Sequence, residues 1–131
     1  MSLHNKVLIL GSSGLIGHQI YNYLQENSDF NLSNISYTRK LNNETIQLDA
    51  RKEKYFFDQI RYIQPNYIVN CIGVLINKAK QDPKSAMCLN AHLPHKLSKL
   101  ANSINAKLIH MSTDCVFSGD KQSPYLENDE K

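Results

Sequence analysis

Glycine and proline are scarce in this chain of 131 residues, five and four in number, and cysteine occurs only three times. So few glycines and prolines exclude a collagen-like or low-complexity chain, and 41% apolar residues supply enough surface for a packed core, which excludes a disordered tail. No run of five or six like charges occurs. The excess of 15 Lys and Arg over 12 Asp and Glu is a dispersed +3, so the footprint of a nucleic-acid partner is missing. Long hydrophobic runs are missing too: Val7 to Leu10 and Tyr67 to Val69 fall far short of the roughly 18 residues that a bilayer requires, and no membrane partner is expected. The opening Met1-Ser2-Leu3-His4-Asn5-Lys6 lacks the apolar segment and small-residue cleavage site of a secretory signal. Cys71, Cys88 and Cys115 are odd in number and show no C-x-x-C spacing, which argues against a disulfide framework and for a reduced, cytoplasmic compartment. The length fits one domain, residues 1–131.

What is present is a repeated switch between short apolar runs and a helical 3-4 spacing, the pattern of parallel strands and their crossover helices. Val7-Leu8-Ile9-Leu10 reads as a strand buried on both faces. Ile16, Ile20, Tyr23 and Leu24 then share a helical face, followed by strands at Ile35 to Thr38 and Thr45 to Leu48. Asp49 is positioned to cap a helix that buries Phe56, Ile60 and Ile63 and stops before Pro65. Tyr67 to Asn70 is the fourth strand. Asp82-Pro83 opens a long helix whose stripe is Ala86, Leu89, Leu93, Leu97, Leu100 and Ile104, with a bend expected near Asn90 because Pro94 lies within it. Leu108 to Met111 is the fifth strand, and the chain turns polar from Ser118. The alternation predicts an α/β fold, a Rossmann-type doubly wound parallel sheet of about five strands.

Gly11-Ser12-Ser13-Gly14-Leu15-Ile16-Gly17 is a G-x-x-G-x-x-G turn between the first strand and the first helix. In that context Gly11 permits the tight turn, Gly14 lets the backbone approach a pyrophosphate, Gly17 allows close helix packing, and the helix N-terminus offers free N–H groups. Ser13 falls among the cofactor-binding candidates with these glycines. A carboxylate that would hold the ribose hydroxyls of NAD is expected about 20 residues on, at the end of the second strand. Thr38-Arg39-Lys40 stands there instead, and a guanidinium suits a 2′-phosphate, so NADP(H) is predicted over NAD(H).

Ligands of such sheets sit outside the carboxyl ends of the strands. The third strand exits at Asp49-Ala50, where Asp49 either caps the helix or accepts from an adenine amino group. The fourth exits at Cys71-Ile72-Gly73, where Gly73 either lets the backbone pass near a cofactor or simply starts a loop. The fifth exits at Ser112-Thr113-Asp114, two hydroxyls and a carboxylate suited to a substrate carbonyl or to turn chemistry. His92-x-x-His95 has no third ligand nearby, so no metal is expected. His18 reads as a surface helix residue, His110 as a buried, hydrogen-bonded imidazole, and Cys71 and Cys115 as packing residues rather than nucleophiles.

The glycine turn, Asn70-Cys71-Ile72-Gly73, Asn90, and above all Ser112-Thr113-Asp114-Cys115-Val116-Phe117-Ser118-Gly119 with Pro124-Tyr125-x-Glu127 resemble the extended short-chain dehydrogenases/reductases, in the branch that reduces dTDP-4-dehydrorhamnose. The resemblance implies an NADP-dependent oxidoreductase acting on a nucleotide-linked sugar for cell-surface polysaccharide precursors. It makes Thr113 the first member of a Thr, Tyr, Lys catalytic set that contacts the sugar's keto oxygen, with Asp114 beside it. It also puts Gly14, Leu15 and Ile16 against the pyrophosphate, Arg39 at the adenosine ribose, Asp49 and Ala50 near adenine, and Cys71, Ile72 and Gly73 along the cofactor's middle. Asn90 becomes a structural or water-holding residue near the site.

Two positions depart from the family pattern. Cys115 stands where the reductases usually carry Tyr, and no Tyr-x-x-x-Lys follows Pro124-Tyr125, since Asp129 lies four residues after Tyr125. The sequence therefore reads as the N-terminal, cofactor-binding part of a longer enzyme, without its C-terminal substrate lobe and inactive by itself. Its uncovered sheet edge predicts a homodimer or poor solubility. A non-catalytic dinucleotide-binding regulatory subunit, a nucleotide-sugar epimerase or dehydratase, and a flavodoxin-like phosphate-binding module are the competing readings.

Overall fold

The computed structural model describes residues 5–113 and 116–130. Five strands, β1 (Lys6–Leu10), β2 (Asn31–Ser36), β3 (Ile46–Gln47), β4 (Tyr67–Asn70) and β5 (Lys107–His110), form one sheet in the order β3-β2-β1-β4-β5. All neighbours are parallel, as a doubly wound sheet requires. The helices are α1 (Leu15–Asn27), α2 (Glu53–Ile63), α3 (Ile76–Gln81), α4 (Pro83–Ala86) and α5 (Leu93–Ser103), with a π-helical turn at Met87–His92 between the last two.

The central strand β1 divides the core by the period of two along a strand. Val7 and Ile9 point to one face, where they meet Tyr21 of α1 and Val69 of β4. Leu8 and Leu10 point to the other and join Phe56 and Ile60 of α2 with Leu93, Leu97 and Leu100 of α5. Each of these four β1 side chains is buried, and burial contributes about 1.5–3 kcal/mol per large apolar side chain. No helix among the described residues is long and apolar enough to cross a membrane.

Several local expectations are corrected. On α1 the buried tyrosine is Tyr21, whereas Tyr23 is 66% exposed and Ile16 48% exposed. Strand β2 begins at Asn31 and ends before Tyr37, because Lys6 to Leu10 pair with Asn31 to Ile35 in unbroken register. β3 keeps only Ile46 and Gln47, and β5 lies one residue earlier than its apolar run. Asp49 does not cap α2: the N-cap is Lys52, without a side-chain hydrogen bond, and Asp49 serves a nearby turn instead. His110 is exposed on the edge strand β5, with its Nδ1 3.1 Å from Asn70 Nδ2.

The Asp82-Pro83 start is as the sequence predicts, with Asp82 Oδ1 accepting from the Ser85 N–H at 3.0 Å. Around Asn90, where a bend is expected, the helix carries a π-helical turn, with the Leu93 N–H donating to Cys88 O just before Pro94, which has no N–H to donate. Helix α3 was not anticipated, and it buries no residue.

Phe56 lies at 0% exposure between α2 and the sheet. Phe56→Ala is expected to lower unfolding free energy by about 3–5 kcal/mol in a urea titration, a large share of the stability of a small domain. Tyr55→Ala next to it, at a 66% exposed position, should change it by less than about 0.5 kcal/mol.

Candidate functional site

The carboxyl ends of β1, β2, β3 and β4 open on a cleft of about 520 Å³. Its floor is the glycine turn. Gly11 has φ +76°, a left-handed conformation that side chains rarely adopt, and its N–H donates to Ile35 O at 2.9 Å. A Cβ on Gly17 would lie 2.2 Å from Gly11 O, so the first turn of α1 rests directly on the backbone of the glycine turn. Helix α1 starts with Gly14 at the N-cap, with no side-chain cap and no acidic residue in its first turn. Its leading N–H groups therefore present a positive dipole end beside the cleft.

The turn is anchored from behind by polar groups. Ser12 Oγ donates to Asn34 Oδ1 at 2.8 Å, both residues being buried, and Asn34 Nδ2 donates to Asn42 Oδ1 at 3.4 Å. Asn42 Nδ2 donates in turn to the Tyr21 hydroxyl at 2.9 Å. No buried side-chain nitrogen or oxygen among the described residues lacks a partner.

Of the residues singled out from the sequence, Gly11, Ser13, Gly14, Arg39, Asp49, Ala50, Cys71, Ile72 and Gly73 all line this one cleft. Gly17 supports it from below. Leu15 and Ile16 are exposed at the start of α1, outside the lining. Arg39 reaches over the turn, with Nη2 3.4 Å from Ser13 O, and makes no ion pair among the described residues. Asn90 clamps the β4 exit: its Oδ1 accepts from Val74 N at 2.8 Å and its Nδ2 donates to Val74 O at 2.9 Å. A Cβ on Gly73 would meet only Asn90 Oδ1, at 3.8 Å. Burial pushes the Cys71 thiol up, away from the thiolate a nucleophile needs. Thr113 is exposed beyond the end of β5 and does not line the cleft, while Asp114 and Cys115 lie outside the described residues. His18 Nδ1 lies 2.8 Å from Gly14 O, and no His, Cys, Asp or Glu cluster among the described residues could hold a metal.

Sequence reasoning missed Tyr37, Arg51, Lys78 and Ser85, which also line the cleft. Asp49 grips Arg51 through Oδ1 and Oδ2, with Nε at 2.9 and 3.1 Å and Nη2 at 2.8 Å. The guanidinium holds the Asp49 carboxyl below the usual carboxylate range, and the carboxylate pushes the Arg51 pKa up. Arg51 Nη1 donates to Ser85 Oγ at 2.9 Å, and its Cζ sits 5.2 Å from the Tyr37 ring centre. The signal for Arg51 was its place four residues after the last residue of β3.

Residues 5–131 match the model of the RmlD substrate binding domain family. The chain is 30% identical over 133 residues to the dTDP-4-dehydrorhamnose reductase of Shigella flexneri, an alignment covering 94% of this chain and 40% of that protein. It is 31% identical over 127 residues to methionine adenosyltransferase 2 subunit beta of Danio rerio, covering 96% of this chain and 38% of that one. A crystal structure described as a hypothetical dTDP-4-dehydrorhamnose reductase from Sulfolobus tokodaii superimposes with a TM-score of 0.82 at 24% identity, over 95% of this chain and 45% of its own. The chain thus spans less than half the length of each of these proteins.

Two outcomes follow from the site's geometry. Gly17→Ala drives a methyl group into Gly11 O and should cost about 2 kcal/mol or more in urea unfolding, whereas Gly73→Ala should unfold close to wild type. The lowered Asp49 pKa means that its pairing contributes stability above the unfolded value of about 3.9, and that this contribution disappears as pH falls through the folded value. Thermal melts between pH 7 and pH 2 should therefore show a shallower acid loss for Asp49→Asn than for wild type.

Proposed function

This chain belongs to the RmlD substrate binding domain family, and from that premise we propose that it is the dinucleotide-binding part of an NADP-dependent reductase of a nucleotide-linked sugar. The observation that carries the reading is the uncapped start of α1 on a left-handed Gly11, at the edge of a cleft that gathers four strand exits. A pyrophosphate fits there: the N–H groups of Leu15, Ile16 and Gly17 at the helix start meet its charge, and Gly14 carries no side chain to keep it away. The bound dinucleotide supplies hydride chemistry, and the chain supplies binding, orientation and electrostatics.

Arg39 is the group for a 2′-phosphate, because its guanidinium is at the cleft and pairs with no carboxylate among the described residues. Cys71, Ile72 and Gly73 would flank the middle of the dinucleotide, with Asn90 fixing the loop that follows them. Thr113, past the end of β5, is the residue whose hydroxyl would donate to the sugar's keto oxygen, and Asp114, next to it in sequence, is the second substrate-binding candidate. The likeness to the Shigella reductase supports a dTDP-linked keto sugar as substrate, and we extend the proposal to a role in the cytoplasmic synthesis of surface polysaccharide precursors.

A second reading, a non-catalytic dinucleotide-binding subunit, is favoured by the likeness to methionine adenosyltransferase 2 subunit beta. A protein that binds NADPH tightly yet leaves dTDP-4-dehydrorhamnose unreduced, in a sequence carrying the rest of the fold, would support it.

Calorimetric titration is expected to show NADPH binding more tightly than NADH. Arg39→Ala should weaken NADPH by about tenfold or more and leave NADH nearly unchanged, the size of a lost charge-assisted hydrogen bond. Equal affinity of the wild type for NADH and NADPH would sink the NADP assignment.

A further inference from the structure

The cleft holds two guanidinium groups whose surroundings differ. Among the described residues the Arg39 guanidinium makes one long hydrogen bond, to Ser13 O. Arg51 is fixed on three sides, by the Asp49 carboxylate, by Ser85 Oγ from the start of α4, and by the Tyr37 ring. Ser85 is itself held by Asp82, so the guanidinium bridges the exit of β3 to a capped helix start 34 residues away.

The consequences of that fixation are chemical. Three of the five N–H donors of Arg51 are spent and its charge is balanced by a contact carboxylate, so it is poorly suited to bind a further anion. It remains a rigid, planar, delocalised group, the kind that stacks on flat rings. Asp49 is equally committed. Its two oxygens already accept from three N–H groups of Arg51, the backbone N at 3.0 Å, Nε and Nη2, which commits most of its acceptor capacity to holding that residue. Tyr37, 57% exposed beside the guanidinium, adds an open aromatic face to the same wall.

We propose that Arg51, held by Asp49 and Ser85 beside Tyr37, is the surface on which the adenine base of the dinucleotide stacks, and that Asp49 is a positioning residue for Arg51 rather than a reader of the base's amino group. The inference rests on the dinucleotide reading above. It divides the adenosine end between Arg39, which takes charge, and Arg51, which takes shape.

The test is calorimetric titration with NADPH, NADH and the hypoxanthine analogue of NADPH, which keeps a purine ring but lacks the amino group. Arg51→Ala and Arg51→Lys are both expected to weaken NADPH and NADH by the same factor, about tenfold, because lysine keeps the charge and loses the plane. Asp49→Asn should weaken both dinucleotides, and the double variant Asp49→Asn with Arg51→Ala should be no weaker than Arg51→Ala alone. The analogue should bind wild type about as well as NADPH.

Wild-type affinity in Arg51→Lys, a loss confined to NADPH, additive effects in the double variant, or a strong preference for NADPH over the analogue would each overturn the inference while leaving the dinucleotide reading intact. Circular dichroism melts check that each variant is folded, and Arg51→Lys serves if Arg51→Ala is not. A folded wild type that binds none of the three ligands overturns the dinucleotide reading and the inference with it.

Discussion

The contact between Gly17 and the carbonyl of Gly11 sets the position of everything at the cleft. A Cβ at residue 17 would come within 2.2 Å of that oxygen, so α1 can lie this close to the turn only with hydrogen there. The close approach aims the first turn of α1 at the space beyond β1, and it brings the helix dipole to the strand exits rather than to open solvent. Gly11 pays for it with a left-handed backbone, and a Cβ there would come within 3.0 Å of the Cys71 carbonyl and 3.1 Å of Ile72 N, so the β1 exit lies close against the β4 exit. One steric requirement thus fixes both the uncapped helix end and the wall opposite.

The parallel sheet does the rest by bringing four chain exits to one edge. With β1 central and β2 and β4 on either side of it, the loops after β1, β2 and β4 must diverge around the same space. The side chains of β1 hold this arrangement by serving both faces at once: Val7 and Ile9 pack under α1, and Leu8 and Leu10 under α2 and α5. A one-residue slip of β1 would exchange the two sets and misfit both, so the register that creates the cleft is defended by two cores.

Much of this was legible in the chain, and the unread parts share a cause. The run Val7 to Leu10, the glycine turn, the bounds of β4 and the Asp82-Pro83 start are local signals, and local signals survive in sequence. The start of β2 is Asn-Leu-Ser-Asn, which reads as a loop. It is a strand because β1 offers it a hydrogen-bonding edge, and its buried Asn34 is tolerated because Ser12 and Asn42 satisfy it. Tyr21 and Tyr23 both fit a helix, and only the direction of α1 set by Gly17 decides which is covered. Arg51 was overlooked because its place near a strand exit is a weak signal, and Ser85 and Tyr37, which hold it in the cleft, are distant in sequence or unremarkable in type.

The chain of polar contacts behind the turn explains how so small a domain keeps a backbone cradle rigid without a disulfide among its described cysteines. Ser12, Asn34, Asn42 and Tyr21 link the glycine turn, β2, the following loop and α1 through side-chain hydrogen bonds. In a buried setting each member is costly to leave unpaired, so the four groups hold one another in a single arrangement. Thr45 extends the same logic, its hydroxyl accepting from the N–H groups of Leu41 and Asn42 at 3.0 and 2.9 Å. The loop that carries Arg39 is therefore anchored at both of its ends, by Ser36 bonded to Arg39 O and by the Asn42–Thr45 turn. Its guanidinium keeps freedom only in the side chain, over a backbone fixed on both sides.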